Sequence, residues 1–454
     1  MSKIEEESRL YSLLRSIIKF TLKKIYYREV YINNIENIPD NTPVMFAANH
    51  QNSLMDPFCI IISVKQQTIF LTRAGVFKSD RISKILNRFK MLPVYRLRDG
   101  FETIQKNKEI FTQCGKILEN NRCLGIMPEG SHGDVKRLRK LQKGFVRVAL
   151  DSEEHANYKL GVKVIPIGIE YKDVTKFRSR VLINVGEAIN VSEFIPQYIE
   201  NKQIGYKALN KEISNKLIPL MIHIKTDEIH DLLVRLRNIY NTRMQKKLNL
   251  SDKTFLSCFK ADKIMIESFE EFYSTDPEQI HSLDKLTIEY TEGLKKLNLR
   301  DHLLENKNYP FYKVLINILL LLILFPLQLF AVINNYLPYK LPDWIINKIK
   351  PDSQFISTFR YVFSLLFFFP LFYIIIFIIT LLVSGNIYFT LGYLIIASSL
   401  GLFAIHYWFN VKKLFGRLKF NNLVRKNDSK ILSLIELREK IMKKTDEITD
   451  AFLK

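Results

Sequence analysis

The sequence predicts an α/β domain with a mixed sheet flanked by helices, then a helical region and a C-terminal transmembrane helical hairpin. Short apolar runs that resemble buried strands alternate with helical patterns up to residue 206. Charged amphipathic patterns follow, and two apolar runs of 23 residues each are long enough to cross a bilayer. The predicted strands cover residues 43–49, 68–72, 123–127, 163–168 and 181–185.

The first 30 residues predict an amphipathic basic helix. Apolar residues follow helical spacing between Leu10 and Ile25, and lysines and arginines fill much of the remainder. Two interpretations stay open, namely that the helix lies on a membrane surface or that it packs against the following domain. Residues 5–7 are all glutamate, where a secretion signal needs a basic flank, so we expect the domain to stay in the cytoplasm.

After the α/β domain at residues 31–206, the sequence predicts four further segments. Residues 207–305 are charged and helical and carry no chemistry that the sequence identifies. Residues 306–340 predict a re-entrant or interfacial hydrophobic segment bent at Pro326, residues 361–409 two transmembrane helices, and residues 410–454 a basic cytoplasmic tail. Lysines and arginines flank both ends of the hairpin, so both ends are expected on the cytoplasmic side.

The charge balance predicts an anionic partner. Lysine and arginine total 67 against 46 aspartates and glutamates, which gives a formal net charge of +21. Nucleic acid and an acidic membrane surface both fit this charge. The four cysteines form no CxxC pair, which favours reduced thiols over a disulfide framework, and we expect no structural metal.

The stretch NHQNSLMDP, residues 49–57, contains the first candidate catalytic pair, His50 and Asp56. One interpretation makes Asp56 the N-cap of a helix that begins at Pro57. The pair is six residues apart and cannot share one helix face, so the side chains meet only if residues 51–55 form a loop. In that case Asp56 binds one imidazole nitrogen and the other acts as a base, while the substrate supplies the hydroxyl.

The second candidate is IMPEGSHGD, residues 126–134, a strand followed by a turn of small residues. The amides of Gly130, Ser131 and Gly133 are placed to bind an anion, and six bases follow between residues 136 and 147 with no acid among them. The alternative is a solvated basic face. His132 and Asp134 alone are weak evidence for a metal site.

Four stretches together resemble the glycerolipid acyltransferase family, which includes the lysophosphatidic acid and glycerol-3-phosphate acyltransferases. NHQNSLMDP resembles the first motif of that family, MLPVYR the second, PEGSHGD the third and VIPIGIEY the fourth. Five residues separate His50 from Asp56 where four are usual, and Ser131 and His132 stand where Thr and Arg are usual. Both departures resemble the longer branch of glycerol-3-phosphate and dihydroxyacetone-phosphate acyltransferases.

The resemblance implies an acyltransferase-like fold and roles for individual residues. His50 and Asp56 are expected to be catalytic, and no metal is implied. The residues expected to bind substrate are Arg96, Glu129, Gly130, Ser131, Lys143 and Pro166, with Arg98, Arg178 and Arg180 as further phosphate contacts. Glu129 is expected to bind glycerol hydroxyls or to fix an arginine, because a carboxylate repels phosphate.

The resemblance also implies the substrates and the location. A fatty acyl group would pass from acyl-CoA or acyl-ACP to glycerol 3-phosphate or 1-acylglycerol 3-phosphate, without a cofactor, by an integral membrane protein whose catalytic domain faces the cytoplasm. The open alternatives are another lyso- or aminoacyl lipid acceptor and a catalytically inactive basic membrane scaffold. We expect no nucleic-acid binding, because the motif loops lack interleaved aromatic and basic residues.

Overall fold

The computed structural model describes residues 4–95, 102–305 and 309–454, except for the side chains of residues 102–106. The chain forms two compact units. Unit 1 comprises Met1–His223 and Pro351–Phe359, and unit 2 comprises Ile224–Lys350 and Arg360–Lys454. The short segment 351–359 therefore joins the unit that contains the candidate motifs.

Unit 1 contains one sheet of eight strands. They are β1 Glu29–Asn33, β2 Val44–Ala48, β3 Thr68–Arg73, β4 Met91–Val94, β5 Cys123–Ile126, β6 Lys163–Tyr171, β7 Arg180–Val185 and β8 Ile189–Asn190. The order is β1-β7-β6-β2-β5-β3-β4, with β8 paired to β6. The pairs β6–β7 and β6–β8 are antiparallel and the others are parallel, which confirms the predicted mixed sheet.

Helices flank this sheet, and a buried apolar core lies between them and the strands. They are α1 Arg9–Phe20, α2 Met55–Ser63, α3 Asp80–Arg88, α4 Glu102–Glu119, α5 Lys143–His155, α6 Ile195–Glu200 and α7 Lys202–Leu217. Every residue of β2 is buried, as expected for a central strand between two parallel neighbours. Since β2, β5 and β6 are parallel, the loops that follow β2 and β5 emerge at the same edge of the sheet as the end of β6.

The N-terminal helix α1 packs on unit 1 through only part of its surface. Tyr11 is buried, and its hydroxyl accepts a hydrogen bond of 3.2 Å from the amide of Thr68. The apolar side chains that remain exposed are Leu10, Leu13, Ile17 and Phe20. Packing against the domain therefore accounts for one face of α1, and a membrane-surface role for the other face stays a prediction.

Helix α2 begins two residues before the predicted start at Pro57. Asp56 lies in its first turn and is not the N-cap, which is Leu54. The Asp56 carboxylate instead accepts hydrogen bonds from the amides of Gln51 and Asn52, which precede the helix. The predicted loop between His50 and Asp56 is thus present, although the helix boundary and the cap were wrong.

Unit 2 is helical throughout its described residues. The helices are α8 His230–Ile239, α9 Asn241–Lys247, α10 Phe255–Tyr273, α11 Pro277–Lys296, α12 Asp301–Glu305, α13 Phe311–Ile349, α14 Ser353–Tyr361, α15 Phe369–Ser384, α16 Ile387–Arg425 and α17 Ser429–Leu453, of which α14 starts in unit 1. The C-terminal residues do not form a free tail. Helix α17 buries Ile431 and Ile441, and the hydroxyl of Tyr240, which directly follows α8, donates to Asp446 at 2.6 Å.

Three helices among the described residues are long and apolar enough to cross a membrane: Phe311–Ile349, Ser353–Ser384 and Ile387–Arg425. The predicted re-entrant hairpin at Pro326 was wrong, because α13 continues as one helix from Phe311 to Ile349. Proline removes one backbone hydrogen bond and kinks a helix, but neighbouring helices in a bundle tolerate that loss. Which side of a membrane each end of α13 faces stays a prediction.

Polar side chains join the long apolar helices of unit 2. The hydroxyl of Tyr373 donates to Asn335 at 2.7 Å, and that of Tyr393 donates to Asn334 at 2.8 Å. The side-chain amide of Asn335 also donates to the carbonyl of Ala397 at 3.0 Å. Interhelical hydrogen bonds of this kind stabilise association where the surroundings are apolar on every side.

Candidate active site

His50 and Asp56 meet in the turn between β2 and α2. His50 Nδ1 lies 2.8 Å from Asp56 Oδ2, the carboxylate is fully buried, and 13% of the His50 side chain is exposed. Because the carboxylate only accepts hydrogen bonds, Nδ1 carries the proton and Nε2 keeps its lone pair. The structure therefore confirms that the two side chains meet and leaves one ring nitrogen available as a base.

Four donors hold the Asp56 carboxylate. Oδ2 accepts from His50 Nδ1 and from the amides of Gln51 and Asn52, each at 2.8 Å. Oδ1 accepts from the hydroxyl of Tyr171, at the end of β6, at 2.7 Å. Burial raises the pKa of Tyr171 well above its usual value, so this phenol stays a donor. The acid is thereby fixed in position and faces the imidazole as a carboxylate.

Glu129 and Arg139 form the second part of the site, in the loop that follows β5. Glu129 Oε1 accepts from the amide of His50 at 2.8 Å, and Oε2 accepts from Arg139 Nε at 2.7 Å. Burial raises the pKa of Glu129, and the adjacent Arg139 guanidinium lowers it in part. Glu129 thus fixes an arginine, one of its two expected roles, and anchors the backbone of His50.

Arg139 fills the loop that was expected to bind an anion through its amides. The guanidinium donates to Ser131 Oγ at 2.9 Å and to the carbonyl oxygens of Ser131, His132 and His50. The amide of Gly130, which has a positive φ of 69°, donates to the carbonyl of Met127. The prediction that the Gly130 amide helps bind an anion was wrong, because that amide is already bonded within the turn.

His132 lies against the ring of His50. The two ring centroids are 4.3 Å apart, with an interplanar angle of 54°. Burial, and then the adjacent His50, lower the pKa of His132 to about 4. The His132 ring is therefore neutral near pH 7 and adds no positive charge beside His50.

Lys136 lies on the other side of this loop and binds a buried acid. Its ammonium group donates to Glu170 Oε1 at 2.8 Å and to Gln51 Oε1 at 3.1 Å. Glu170 is on β6 and is fully buried, and Gln51 directly follows His50. Lys136, one lysine of the predicted basic run, thus forms an internal ion pair and is not part of a solvated face.

The remaining predicted residues lie in different places. Lys143 begins α5, and its ammonium group donates to Gln203 at 3.1 Å, while Pro166 lies on β6 opposite Ala47. Substrate contact by either residue stays a prediction. Arg96 and Arg98 lie outside the described residues.

The structure counts against a phosphate role for Arg178 and Arg180. Arg178 Nη1 donates to the backbone carbonyls of residues 24, 25 and 27 at 3.0–3.1 Å, and Arg180 Nε donates to Glu29 at 2.6 Å. Both guanidinium groups therefore stabilise the N-terminal part of unit 1. Within the described parts of the chain, no three His, Cys, Asp or Glu residues lie close enough to hold a metal ion.

Part of the chain is similar to known acyltransferases. Residues 29–170 match the family model described as Acyltransferase. Over 200 residues it is 30% identical to glycerol-3-phosphate O-acyltransferase 1 of Saccharomyces cerevisiae, covering 43% of this chain and 25% of that protein. The chain thus spans about a quarter of the length of this yeast relative.

Two bacterial proteins also match the acyltransferase domain. The 1-acyl-sn-glycerol-3-phosphate acyltransferase of Borreliella burgdorferi is 22% identical over 179 residues, covering 39% of this chain and 65% of that protein. The crystal structure of the 1-acyl-sn-glycerophosphate acyltransferase of Thermotoga maritima aligns with a TM-score of 0.33 at 18% identity. That alignment covers 48% of this chain and 83% of the other.

Sequence reasoning missed Tyr171 and Arg139 as residues of the acyltransferase site. Tyr171 is 115 positions from Asp56, and only the pairing of β6 with β2 brings the end of β6 beside the turn after β2. Its place at the end of the fourth motif was the available signal. Arg139 was counted only as one base in a run, and its carboxylate partner ten residues earlier was the clue.

Proposed function

We propose that the chain is a membrane acyltransferase that transfers a fatty acyl group from a thioester to a hydroxyl of a glycerol-phosphate acceptor. The observation that carries the proposal is the His50–Asp56 pair, with Nδ1 held by a buried carboxylate and Nε2 left to act as a base. A serine or cysteine nucleophile is unnecessary, because the acceptor supplies its own hydroxyl.

The reaction follows from this pair. His50 Nε2 takes the proton of the acceptor hydroxyl while the hydroxyl oxygen attacks the thioester carbonyl carbon. The tetrahedral intermediate collapses, the C–S bond breaks, and the imidazolium returns the proton to the leaving thiolate. Asp56 stabilises the imidazolium and keeps the ring in the productive tautomer. One C–O bond forms and one C–S bond breaks, with no net loss of a proton.

Glycerol 3-phosphate is the acceptor that we propose first. The five-residue separation of His50 and Asp56 and the Ser131–His132 pair resemble the glycerol-3-phosphate branch, and the yeast relative at 30% identity carries that substrate in its name. The Borreliella relative supports 1-acylglycerol 3-phosphate as the second candidate. Acyl-CoA and acyl-ACP both remain candidate donors, since either presents a thioester.

The test uses the full chain purified in detergent or lipid, with a radiolabelled thioester and each acceptor offered separately. We expect glycerol 3-phosphate to be acylated and His50→Ala to abolish the product. The matched control is His155→Ala, an exposed histidine at the end of α5, which should leave the rate unchanged. Equal product from wild type and His50→Ala would refute His50 as the base, and acylation of 1-acylglycerol 3-phosphate alone would reverse the choice of acceptor.

We also propose that the domain faces the cytoplasm. The basic residues that flank the apolar hairpin support this orientation, because cytoplasmic flanks of membrane helices are enriched in lysine and arginine. Single cysteines at the exposed positions Lys65 and Asn386 in sealed vesicles test it. We expect an impermeant maleimide added from the extracellular side of the membrane to label Asn386→Cys and to leave Lys65→Cys unlabelled. The reverse pattern would overturn the orientation.

A further inference from the structure

The segment Pro351–Phe359 joins unit 1, although most of unit 1 ends at His223. It contains the first seven residues of the helix Ser353–Tyr361 and therefore the start of the candidate membrane helix Ser353–Ser384, which follows the candidate Phe311–Ile349 along the chain. Sequence reasoning gave this segment no role. We call residues 353–359 the connecting segment.

The connecting segment contacts all three parts of the chain that build the active site. Ser353 Oγ donates to Asp134 in the loop after β5 at 2.8 Å, and Thr358 Oγ1 accepts from the amide of Leu54 in the catalytic turn at 3.2 Å. Ser357 Oγ donates to the carbonyl of Val174, which follows β6. That same carbonyl accepts from Asn52, two residues after the catalytic histidine.

A second contact fixes the buried middle of the connecting segment. The hydroxyl of Tyr26 donates to the carbonyl of Ser357 at 3.2 Å, and Ser357 is 1% exposed. A serine this well buried, with both its hydroxyl and its carbonyl hydrogen-bonded, is typical of an element that packs as part of the domain. The segment therefore packs as part of unit 1, although it is distant from the rest of that unit along the chain.

The aromatic ring of Phe355 extends this contact to the base itself. The Phe355 centroid lies 4.9 Å from that of His132 in an edge-on arrangement, and His132 lies 4.3 Å from His50. The three rings form a row that ends against the His50 imidazole. Asp56 binds one edge of that imidazole and His132 packs beside the ring, so together they limit its rotation.

We propose that the connecting segment completes the catalytic site, and that Phe355 and His132 are positioning residues that hold the His50 ring with Nε2 directed at the acceptor. This inference rests on the proposed acyl transfer. Phe355 acts through His132 and takes no part in proton transfer. Loss of its ring should let His132 move and admit water beside His50, so the base is less well aligned while substrate contacts elsewhere are retained.

The kinetic test compares Phe355→Ala, Phe355→Tyr and wild type as full chains. We expect Phe355→Ala to lower kcat on the order of 10- to 100-fold with the KM of the acceptor changed by less than about threefold. Better hydration of the imidazolium should move the acid limb of the pH–rate profile to higher pH. Phe355→Tyr keeps the ring and should restore most of the rate and the wild-type profile.

The matched control is Phe194→Ala, which removes another half-buried phenyl ring of unit 1 away from the site. It should lower stability while kcat stays within about twofold of wild type. If Phe355→Ala keeps wild-type kcat and pH profile while wild type is active, the positioning role is wrong and the proposed acyl transfer stands. If wild type acylates no acceptor, the proposed function fails first.

A cross-link tests the docking independently of activity. The Ser353 and Asp134 side chains are in hydrogen-bond contact, so Ser353→Cys with Asp134→Cys places two thiols at neighbouring positions. With the partly exposed Cys258 replaced by serine, we expect mild oxidation of membranes to cross-link the double variant and neither single variant, because the native Cys59, Cys114 and Cys123 are buried. Absence of the cross-link in folded, membrane-inserted protein would overturn the proposal.

Discussion

Replacement of Arg139 by methionine tests the electrostatics of the loop after β5. Methionine keeps much of the side-chain volume but removes the guanidinium that binds Glu129 Oε2 and bridges Ser131, His132 and His50. The Glu129 side chain is 2% exposed and would then retain only backbone amides as donors. A buried carboxylate without its cation is the expected source of instability.

The size of the effect follows from the burial of the pair. Loss of one partner of a buried ion pair costs about 3–5 kcal/mol. Arg139 is 28% exposed, so solvent already weakens the pair and we expect the lower end, about 3 kcal/mol. For a unit of roughly 230 residues each kcal/mol shifts the melting temperature by about 2–4 °C, which predicts a fall of about 6–12 °C.

The stability lost in Arg139→Met should depend on pH in a defined direction. Burial raises the pKa of Glu129 above its usual value, so the folded protein binds this proton more tightly than the unfolded chain does. Its contribution to stability is present at low pH and is lost as pH rises through the raised pKa. Since Arg139 lowers that pKa, Arg139→Met raises it further, and the deficit should be larger at about pH 8 than at about pH 5.

The assay is the thermal midpoint for loss of the monodisperse size-exclusion peak in detergent, measured at both pH values. The control Arg81→Met removes an exposed arginine from α3 and should change stability by less than about 0.5 kcal/mol. The double variant Glu129→Gln with Arg139→Met removes the unpaired charge and should regain several degrees. A double variant as unstable as Arg139→Met, at both pH values, would refute the buried-carboxylate explanation.

Three further predictions concern the carboxylate, its phenol and the thiols. Asp56→Asn should lower kcat on the order of 10³- to 10⁴-fold through loss of the tautomer and imidazolium stabilisation, and a loss below tenfold in the acyl-transfer assay would contradict the pair. Tyr171→Phe removes one donor to the buried carboxylate and should cost about 1.5–3 kcal/mol of stability, measured as a fall in melting temperature, and should also lower kcat. An unaltered kcat would show that this donor is dispensable. Burial raises the pKa of the Cys114 and Cys123 thiols to about 12, so maleimide should label the partly exposed Cys258 first, as mass spectrometry would record. Early labelling of Cys114 or Cys123 would contradict that burial.

The central strands were predictable because each is a short apolar run that is buried on both faces. The two edge strands were missed for a physical reason. Every residue of β1, Glu29–Asn33, is only partly buried, and β4, Met91–Val94, contains a proline. Edge strands need fewer apolar side chains and tolerate proline, so neither segment produces the apolar run that marks a central strand.

The contact between His50 and Asp56 was predictable from local chemistry, whereas its supporting residues were not. A spacing of six residues with a polar intervening stretch is enough to require a turn between His50 and Asp56. The donor Tyr171 reaches that turn only through strand pairing between distant segments. The continuity of α13 through Pro326 likewise depends on neighbouring helices, which a single segment of sequence does not reveal.

The position of the connecting segment also sets the order in which the catalytic site can be assembled during synthesis. Unit 1 ends at His223 and resumes only at Pro351, after the apolar helix Phe311–Ile349 has been made. At about 5–20 residues per second, translation of these ~130 residues takes roughly 6–26 s. The sheet of unit 1 is therefore synthesised well before the connecting segment. The connecting segment is translated only after the first long apolar helix, Phe311–Ile349, has been completed.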